Sequence, residues 1–554
     1  MMQRKDYESL CGEWQFSFDD QLTDNPSFDR TIIVPYSYES SASGIGDTRV
    51  HSCVWYKRTF QVKPHHGSIL LHFEGIDYHA IIYINDVLCG EHVGGFTSFV
   101  IDATDYVHSG DNTIKIKVLD SLSKSQLRGK QRARETSYEC WYVQTTGIWK
   151  PVWLEYAGSS YIESIDYSAE INGHVAIKVS LNKPAKLAME VRDGDKKIYR
   201  EEAQTSEKMH SFSFEIQSPK LWNAEHPDLY STCFRVFGES QDTVESYFGI
   251  SEIRAKEAGI FINGEREYQQ MILYQGYWSE TMLSAPDDIA LEKDIDMIKA
   301  LGFNGVRVHQ KIENAVFYYL CDKKGLYVWG EIPSAYEFTE KMCSEFTRDA
   351  KGIFHQLKNH VCVTTWLLFN ETWGVEAINN DKEQQKFVEE IAAYIKSKDK
   401  RPVITNDGWY HLDSDILSLH EYEQDAKVFA QEYADKDRVV SSKIINGNHY
   451  GKAFAEGYSY TSQPIFISEY GGIALDGRRG WGYGENAHSV DQYEKRLKTI
   501  VETVESLTYV SGCCYTQFND TQQEVNGLLN EDRVPKLPAK RLHAIFSRGQ
   551  VRRR

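Results

Sequence analysis

The chain is short of positive charge, of paired cysteines and of long uncharged apolar runs, and each shortage removes a class of function. Lys and Arg number 62 against 80 Asp and Glu, a formal balance of −18. Phosphate binding needs a cationic face, so this balance argues against nucleic acid as a partner. The Arg-rich end at 548–554 is the local exception and reads as a solvated tail. No uncharged stretch reaches the length that spans a bilayer, and Met1-Met-Gln-Arg-Lys-Asp-Tyr-Glu lacks the apolar segment of a signal peptide. A cytoplasmic protein with no membrane partner is therefore expected. The 10 cysteines include no CxxC pair, and only Cys513 and Cys514 are adjacent. That scatter fits reduced thiols better than a disulfide framework or a zinc site. The sequons at Asn370 and Asn519 fall in expected core strands and read as chance.

At 554 residues the chain exceeds one ordinary core, and it divides by pattern into three parts. Residues 1–157 alternate short β-type segments with turns, as in Trp55-Tyr-Lys-Arg-Thr-Phe-Gln-Val and Thr113-Ile-Lys-Ile-Lys-Val, which suggests a sandwich. Residues 158–250 repeat the habit over a length that suits an immunoglobulin-like sandwich. From 251 to 554 strands alternate with amphipathic helical stretches. Strands are expected at 269–275, 302–309, 326–331, 361–370, 402–406, 415–420, 464–469 and 510–518, with helices such as 287–300, 384–396 and 492–504. Eight alternations over about 300 residues is the count for a (β/α)8 TIM barrel.

Two of these apolar runs deliver a glutamate from opposite sides of the barrel. Val361-Cys-Val-Thr-Thr-Trp-Leu-Leu-Phe runs into Asn370-Glu371-Thr372-Trp373-Gly374, and Pro464-Ile-Phe-Ile-Ser into Glu469-Tyr470-Gly471-Gly472. Barrels carry their chemistry at the C-terminal ends of strands. Strands four and seven face each other across the mouth, so Glu371 and Glu469 converge as a glycosidase pair requires. Either one alone is an unremarkable member of 80 acidic residues; the two together, on these strands, are not.

These residues resemble the acid/base and nucleophile motifs of family 2 glycoside hydrolases, which include β-galactosidases, β-glucuronidases and β-mannosidases. The resemblance covers nearly the whole chain: Thr146-Gly-Ile-Trp-Lys-Pro-Val-Trp-Leu-Glu is similar to the end of the family's N-terminal jelly-roll domain, which implies a jelly roll for residues 1–157, and Asn304-Gly-Val-Arg-Val-His to its second barrel strand. It implies Glu371 as general acid and then base, Glu469 as the nucleophile that forms a glycosyl-enzyme, and Asn370 as a ligand of the sugar's 2-hydroxyl. It further implies that Arg307 keeps Glu469 ionised and that Tyr422 approaches the nucleophile, with His420 a sugar contact. His309, Asn406 and Gln517 complete the polar candidates. Trp278, Trp373, Trp409 and Trp481 fall just beyond strands, where an indole can stack on a sugar face. Trp481, among glycines 477, 480, 482 and 484, is expected in a mobile lid.

Some positions depart from the family. Where a magnesium-dependent member has its ligands after strand three, this chain has Ala335 and Glu337, so no metal and no cofactor is expected. Glucuronidases carry an Asn-x-Lys pair after strand eight; Asn526-Gly-Leu-Leu-Asn lacks it, while Arg478 and Arg479 offer cations elsewhere. Thr516 stands where better-known members have tryptophan. The expected function is an exo-acting retaining β-glycosidase on a glycoside or oligosaccharide, with β-galactosidase first. A β-glucuronidase or β-galacturonidase follows, then β-mannosidase. A non-catalytic carbohydrate-binding protein is the reading from another class, and the oligomeric state stays open.

Overall fold

The computed structural model describes residues 2–24, 26–441, 451–477 and 479–547; Arg478 and the Arg-rich end lie outside them. In the N-terminal sandwich every second residue is buried along His79–Ile84 and, from Asn112 on, along Gly110–Leu119. Period-two burial is what a sheet with one wet face requires. Six strands pair in the order Arg30–Val34, Gly12–Phe18, Cys53–Val62, Gly110–Leu119, His79–Ile84, Val87–Val93, against a sheet of Tyr7–Ser9, Val152–Ala157, Ser68–Phe73 and Phe99–Asp102. A second sandwich stacks Ile162–Ala169, His174–Leu181 and Met209–Glu215 on Lys196–Gln204, Lys186–Asp193, Tyr230–Phe237 and Asp242–Phe248. Each has its own apolar core. Arg4 joins them, its guanidinium 2.7 Å from Glu155 and 2.9 Å from Asp242.

The barrel strands are buried on both faces. They are β1 (Gln269–Tyr274), β2 (Gly305–Val308), β3 (Tyr327–Glu331), β4 (Val363–Leu367), β5 (Val403–Ile404), β6 (Leu417–Glu421), β7 (Ile465–Gly471) and β8 (Val510–Thr516). Side chains inside the ring pack on one another and those outside pack on helices, so alternation disappears. The strands bond in the order β5-β4-β3-β2-β1-β8-β7-β6. A parallel bridge from Gly408 to Leu419 closes the ring between β5 and β6. The chain is thus two all-β sandwiches followed by a (β/α)8 barrel. Several helices begin at side-chain caps: Asp287 accepts from Ala290, Thr339 from Met342 and Ser489 from Gln492.

Most of the strands are shorter than the expected runs, β2 and β4 by half, and at β5 and β6 the cause is local. Beyond Ile404 the backbone leaves the ladder to hydrogen-bond with Ser414. Before Leu417, Asp415 turns its carboxylate onto the Val403 N–H at 2.8 Å. All 10 cysteines are free thiols. Among the described residues no helix is long and apolar enough to cross a membrane.

Candidate active site

β4 and β7 bring their glutamates together at the C-terminal mouth. Glu371, His420 and Glu469 each present an atom within 4.8 Å of the other two. The turn after β4 aims Glu371: Glu371 and Thr372 both adopt left-handed backbone, φ 49° and 64°. Two consecutive non-glycine residues in that region cost energy and persist only when their surroundings hold them. Here Glu371 N–H donates to Asp407 O at 3.0 Å, and Thr372 N–H to Asn406 Oδ1 at 3.0 Å. After β7, a Cβ on Gly471 would lie 2.2 Å from the Tyr515 ring, so only glycine fits.

Beneath the pair lies a charge network closed to solvent. The Arg307 guanidinium, 0% exposed, reaches Glu331 at 2.8 Å, Asp407 at 2.9 Å and Glu469 at 2.6 Å, and donates to Asn370 Oδ1 at 2.7 Å. His309 and Gln310 complete the Glu331 carboxylate. His420 lies between the two glutamates: Nδ1 is 2.7 Å from Glu371, and Nε2 is 3.1 Å from Asp407 and 3.5 Å from Glu469. Both ring nitrogens face carboxylates, the arrangement of an imidazolium. Burial disfavours its charge, yet Glu469, Asp407 and Glu371 together raise its pKa to about 10. Burial would likewise raise the Glu469 carboxyl, but His420, Arg307 and His309 outweigh it and hold it at about 2, with Tyr422 donating a hydrogen bond. The two carboxylates therefore live differently. Glu469 is sealed among cations, and the Glu371 side chain is 22% exposed.

Several candidates gather at this site and others do not. Asn370 keeps its Nδ2 buried and without a partner. Gln517 donates to Asn526 Oδ1 at 2.7 Å, leaving Gln517 Oε1 and Asn526 Nδ2 unpartnered. Tyr422 stacks on Tyr483 at 3.4 Å and shares 3.1 Å with the Thr516 hydroxyl. Asn406 is spent on backbone, accepting from Thr372 and donating to the Trp409 carbonyl, so it holds the turn that aims Glu371. His420 is likewise committed to carboxylates rather than open to sugar. Trp409 meets His420 edge-on at 5.7 Å. Trp278 sits between the Lys311 and Arg533 cations, whose partners are Glu313 and Asp294 rather than the carboxylate cluster. Trp481 is tethered: its backbone N–H donates to Gln523 O at 2.9 Å, and its indole to Glu139 O at 2.8 Å.

Trp373 leads to what the sequence conceals. Its half-buried ring lies 5.5 Å from Trp141, 5.7 Å from Tyr336 and 5.5 Å from the Lys130 ammonium. Lys130 and Trp141 belong to the N-terminal sandwich, from which a long excursion reaches across the barrel mouth. Gln523 Nε2 donates to the Trp141 carbonyl at 2.9 Å, and the Tyr142 hydroxyl donates to Glu524. Asp407, Glu331, Glu524 and Tyr483 are further site residues absent from the sequence reading. Asp407, in Asn-Asp-Gly after an apolar strand, and Glu331, at the end of one, had local signals.

Glu371, His420 and Glu469 are also close enough to ligate an ion, as are the buried Asp322, His360 and Cys362. An imidazolium has no lone pair for a metal, so the first group suits proton chemistry instead.

The whole chain has relatives with this architecture. A glycosyl hydrolase 2 galactose-binding domain-like model matches residues 47–150, the glycosyl hydrolases family 2 model 160–250, and that family's TIM barrel domain model 284–550. A β-galactosidase of Thermoanaerobacter pseudethanolicus is 26% identical over 65% of this chain and 49% of its own length. The chain spans about half the length of the first curated relatives it matches. A β-glucuronidase of Paenibacillus borealis is 23% identical over 98% of this chain and 96% of its own. The structure of Bifidobacterium dentium β-glucuronidase complexed with coumarin-3-O-glucuronide superposes with TM-score 0.80 at 19% identity, covering 99% and 98% of the two chains. With three successive matches in order along two sandwiches and a barrel, the chain belongs to glycosyl hydrolases family 2.

Proposed function

We propose that this chain is an exo-acting retaining β-glycosidase whose substrate is a β-linked uronide, with the β-glucuronide first. The observation that carries the reaction is the unequal pair. A sealed, cation-held Glu469 is the nucleophile, and the more exposed Glu371 serves as acid and base. In the first step a Glu469 oxygen bonds the anomeric carbon, the glycosidic C–O bond breaks, and Glu371 gives its proton to the departing oxygen. In the second, Glu371 takes a proton from water, the water oxygen bonds the same carbon, and the bond to Glu469 breaks. A separation near 5 Å suits this double displacement, whereas inversion needs room for a water between the carboxyls. Asn370 Nδ2 would meet the 2-hydroxyl, a contact that strengthens as the anomeric carbon gains charge.

For the sugar, full-length likeness to β-glucuronidases favours the uronide over the galactoside that the sequence motifs ranked first. The test is initial rates on a panel of chromogenic β-glucuronide, β-galacturonide, β-galactoside and β-mannoside. A dominant uronide rate is expected. A dominant galactoside rate overturns the sugar while sparing the reaction, and silence on every member favours a non-catalytic carbohydrate-binding role.

His420 carries a second test. Replacing it with Gln removes the cation that lowers proton affinity at Glu469. The acid limb of kcat/KM should then move up by about one pH unit, because the nucleophile holds its proton to higher pH. A pH–rate profile with an unmoved acid limb would disprove the coupling.

A further inference from the structure

We infer that Lys130, carried into the barrel mouth by the N-terminal sandwich, is the ammonium that receives the carboxylate of an acidic glycoside. This assignment rests on the glycosidase reading above and supplies what that reading lacks, a cation for the uronate.

Lys130 is placed deliberately. Gly129 before it, at φ 58°, lies so close to the barrel that a Cβ would stand 2.1 Å from the Gln310 carbonyl. The Arg128 and Gly129 N–H groups both donate to Ser334 O, at 2.9 and 3.1 Å. The segment is thereby fixed to the loops that follow β2 and β3. Lys130 itself is 5% exposed, an uncommon setting for a lysine, with the buried Glu524 as its ion-pair partner.

Its partners leave capacity. The nearest carboxylate, Glu524, is 3.6 Å from Nζ, beyond hydrogen-bonding distance. Glu524 already accepts from the Tyr142 hydroxyl. The remaining neighbours of Nζ are the Cys140 thiol and the faces of Tyr142 and Trp373, at 5.7 and 5.5 Å. An ammonium has three N–H donors, and none of these neighbours is a strong acceptor. It nonetheless lies within electrostatic reach of Glu469, and Trp373 is two residues from Glu371. A sugar seated on the two catalytic carboxylates is therefore beside it.

Other cations near the mouth are committed. Arg307 is saturated by three carboxylates and Asn370. In the loop after β8, Leu528 is buried in the apolar core, Arg533 pairs with Asp294, and Lys536 with Asp520. Arg479 is exposed. Within this anionic pocket a substrate carboxylate needs a cation with N–H donors to spare, and Lys130, whose Glu524 partner stands at 3.6 Å, is one.

The test compares the full chain with Lys130→Met and Lys130→Arg on p-nitrophenyl β-glucuronide and β-glucoside, which differ only at C6. In Lys130→Met the ratio of kcat/KM for uronide over neutral sugar should fall about 100-fold, the discrimination expected for a charge-assisted hydrogen bond. Lys130→Arg should keep most of that ratio, and inhibition by free glucuronate should weaken in parallel in the Met variant. An unchanged ratio in Lys130→Met, with wild-type uronide turnover intact, overturns the Lys130 assignment alone. Wild-type preference for the neutral glycoside overturns both it and the uronide reading. If Lys130→Met fails to fold, loss of the ratio in soluble Lys130→Gln decides in its place.

Discussion

Glu469→Gln is expected to lose about 10⁵-fold in kcat, about 7 kcal/mol of transition-state stabilisation. The substitution keeps shape and the neighbourhood of Tyr422 but removes the oxygen that bonds the anomeric carbon. It also removes the negative charge opposite Arg307 and His420, so the oxocarbenium-like centre faces cations with no counter-charge. The measurement is single-turnover hydrolysis with a good leaving group. Activity within tenfold of wild type would remove Glu469 from the nucleophile's role. Glu371→Ala provides the contrast. It should cripple poor leaving groups and spare good ones, and azide should restore turnover by attacking the glycosyl-enzyme without needing a base. A uniform loss with no azide effect would contradict the acid/base assignment.

Arg307→Ala should both unfold the barrel more easily and silence it. Glu331, Asp407 and Glu469 share this one guanidinium, and all are buried. Removing one partner of a buried ionic group typically costs about 3–5 kcal/mol, because the charges left behind have neither water nor a counter-ion. The pH dependence fixes the sign. For Asp407 and Glu331, burial opposes the charge while Arg307 leads the groups that lower the pKa, and both end below the carboxylate range. Glu469 stands at about 2 against an ordinary 4.5. A depressed carboxylate contributes stability above its unfolded value and loses it as pH falls through the folded one. The wild-type contribution of Glu469 therefore disappears between about pH 4.5 and 2. Without Arg307 these carboxyls take up protons at higher pH, so acid unfolding should begin earlier. Thermal melts at pH 7 and pH 4.5 check this, and unchanged melts at both would refute the network's structural role.

What could be read from the chain alone follows from how locally each feature is encoded. The eight barrel strands are contiguous apolar runs, and Glu371 and Glu469 stand at the ends of two of them, so neither needs tertiary information. Asn406 was legible as a polar residue at a strand end, but an amide that binds sugar and one that holds a turn look the same in sequence. Trp481 shows the same ambiguity from the other side. Four neighbouring glycines suggest freedom, yet the backbone bridges to Gln523 and the indole to Glu139. Lys130, Trp141 and Glu524 were invisible because their meeting depends on how two domains dock, with 382 positions between Tyr142 and Glu524. Periodicity and motif spacing carry no trace of such a contact.

That separation also sets a clock on the ribosome. The carbonyl of Tyr138 is made 385 residues before the Gln523 amide that donates to it. At about 5–20 residues per second the interval is roughly 20–80 s. Until it ends, Trp141 and Tyr142 lack their hydrogen-bond partners Gln523 and Glu524 from the loop after β8. One wall of the pocket is among the earliest parts synthesised and the last to be seated, so a nascent chain gains its active site only when its final strand is in place.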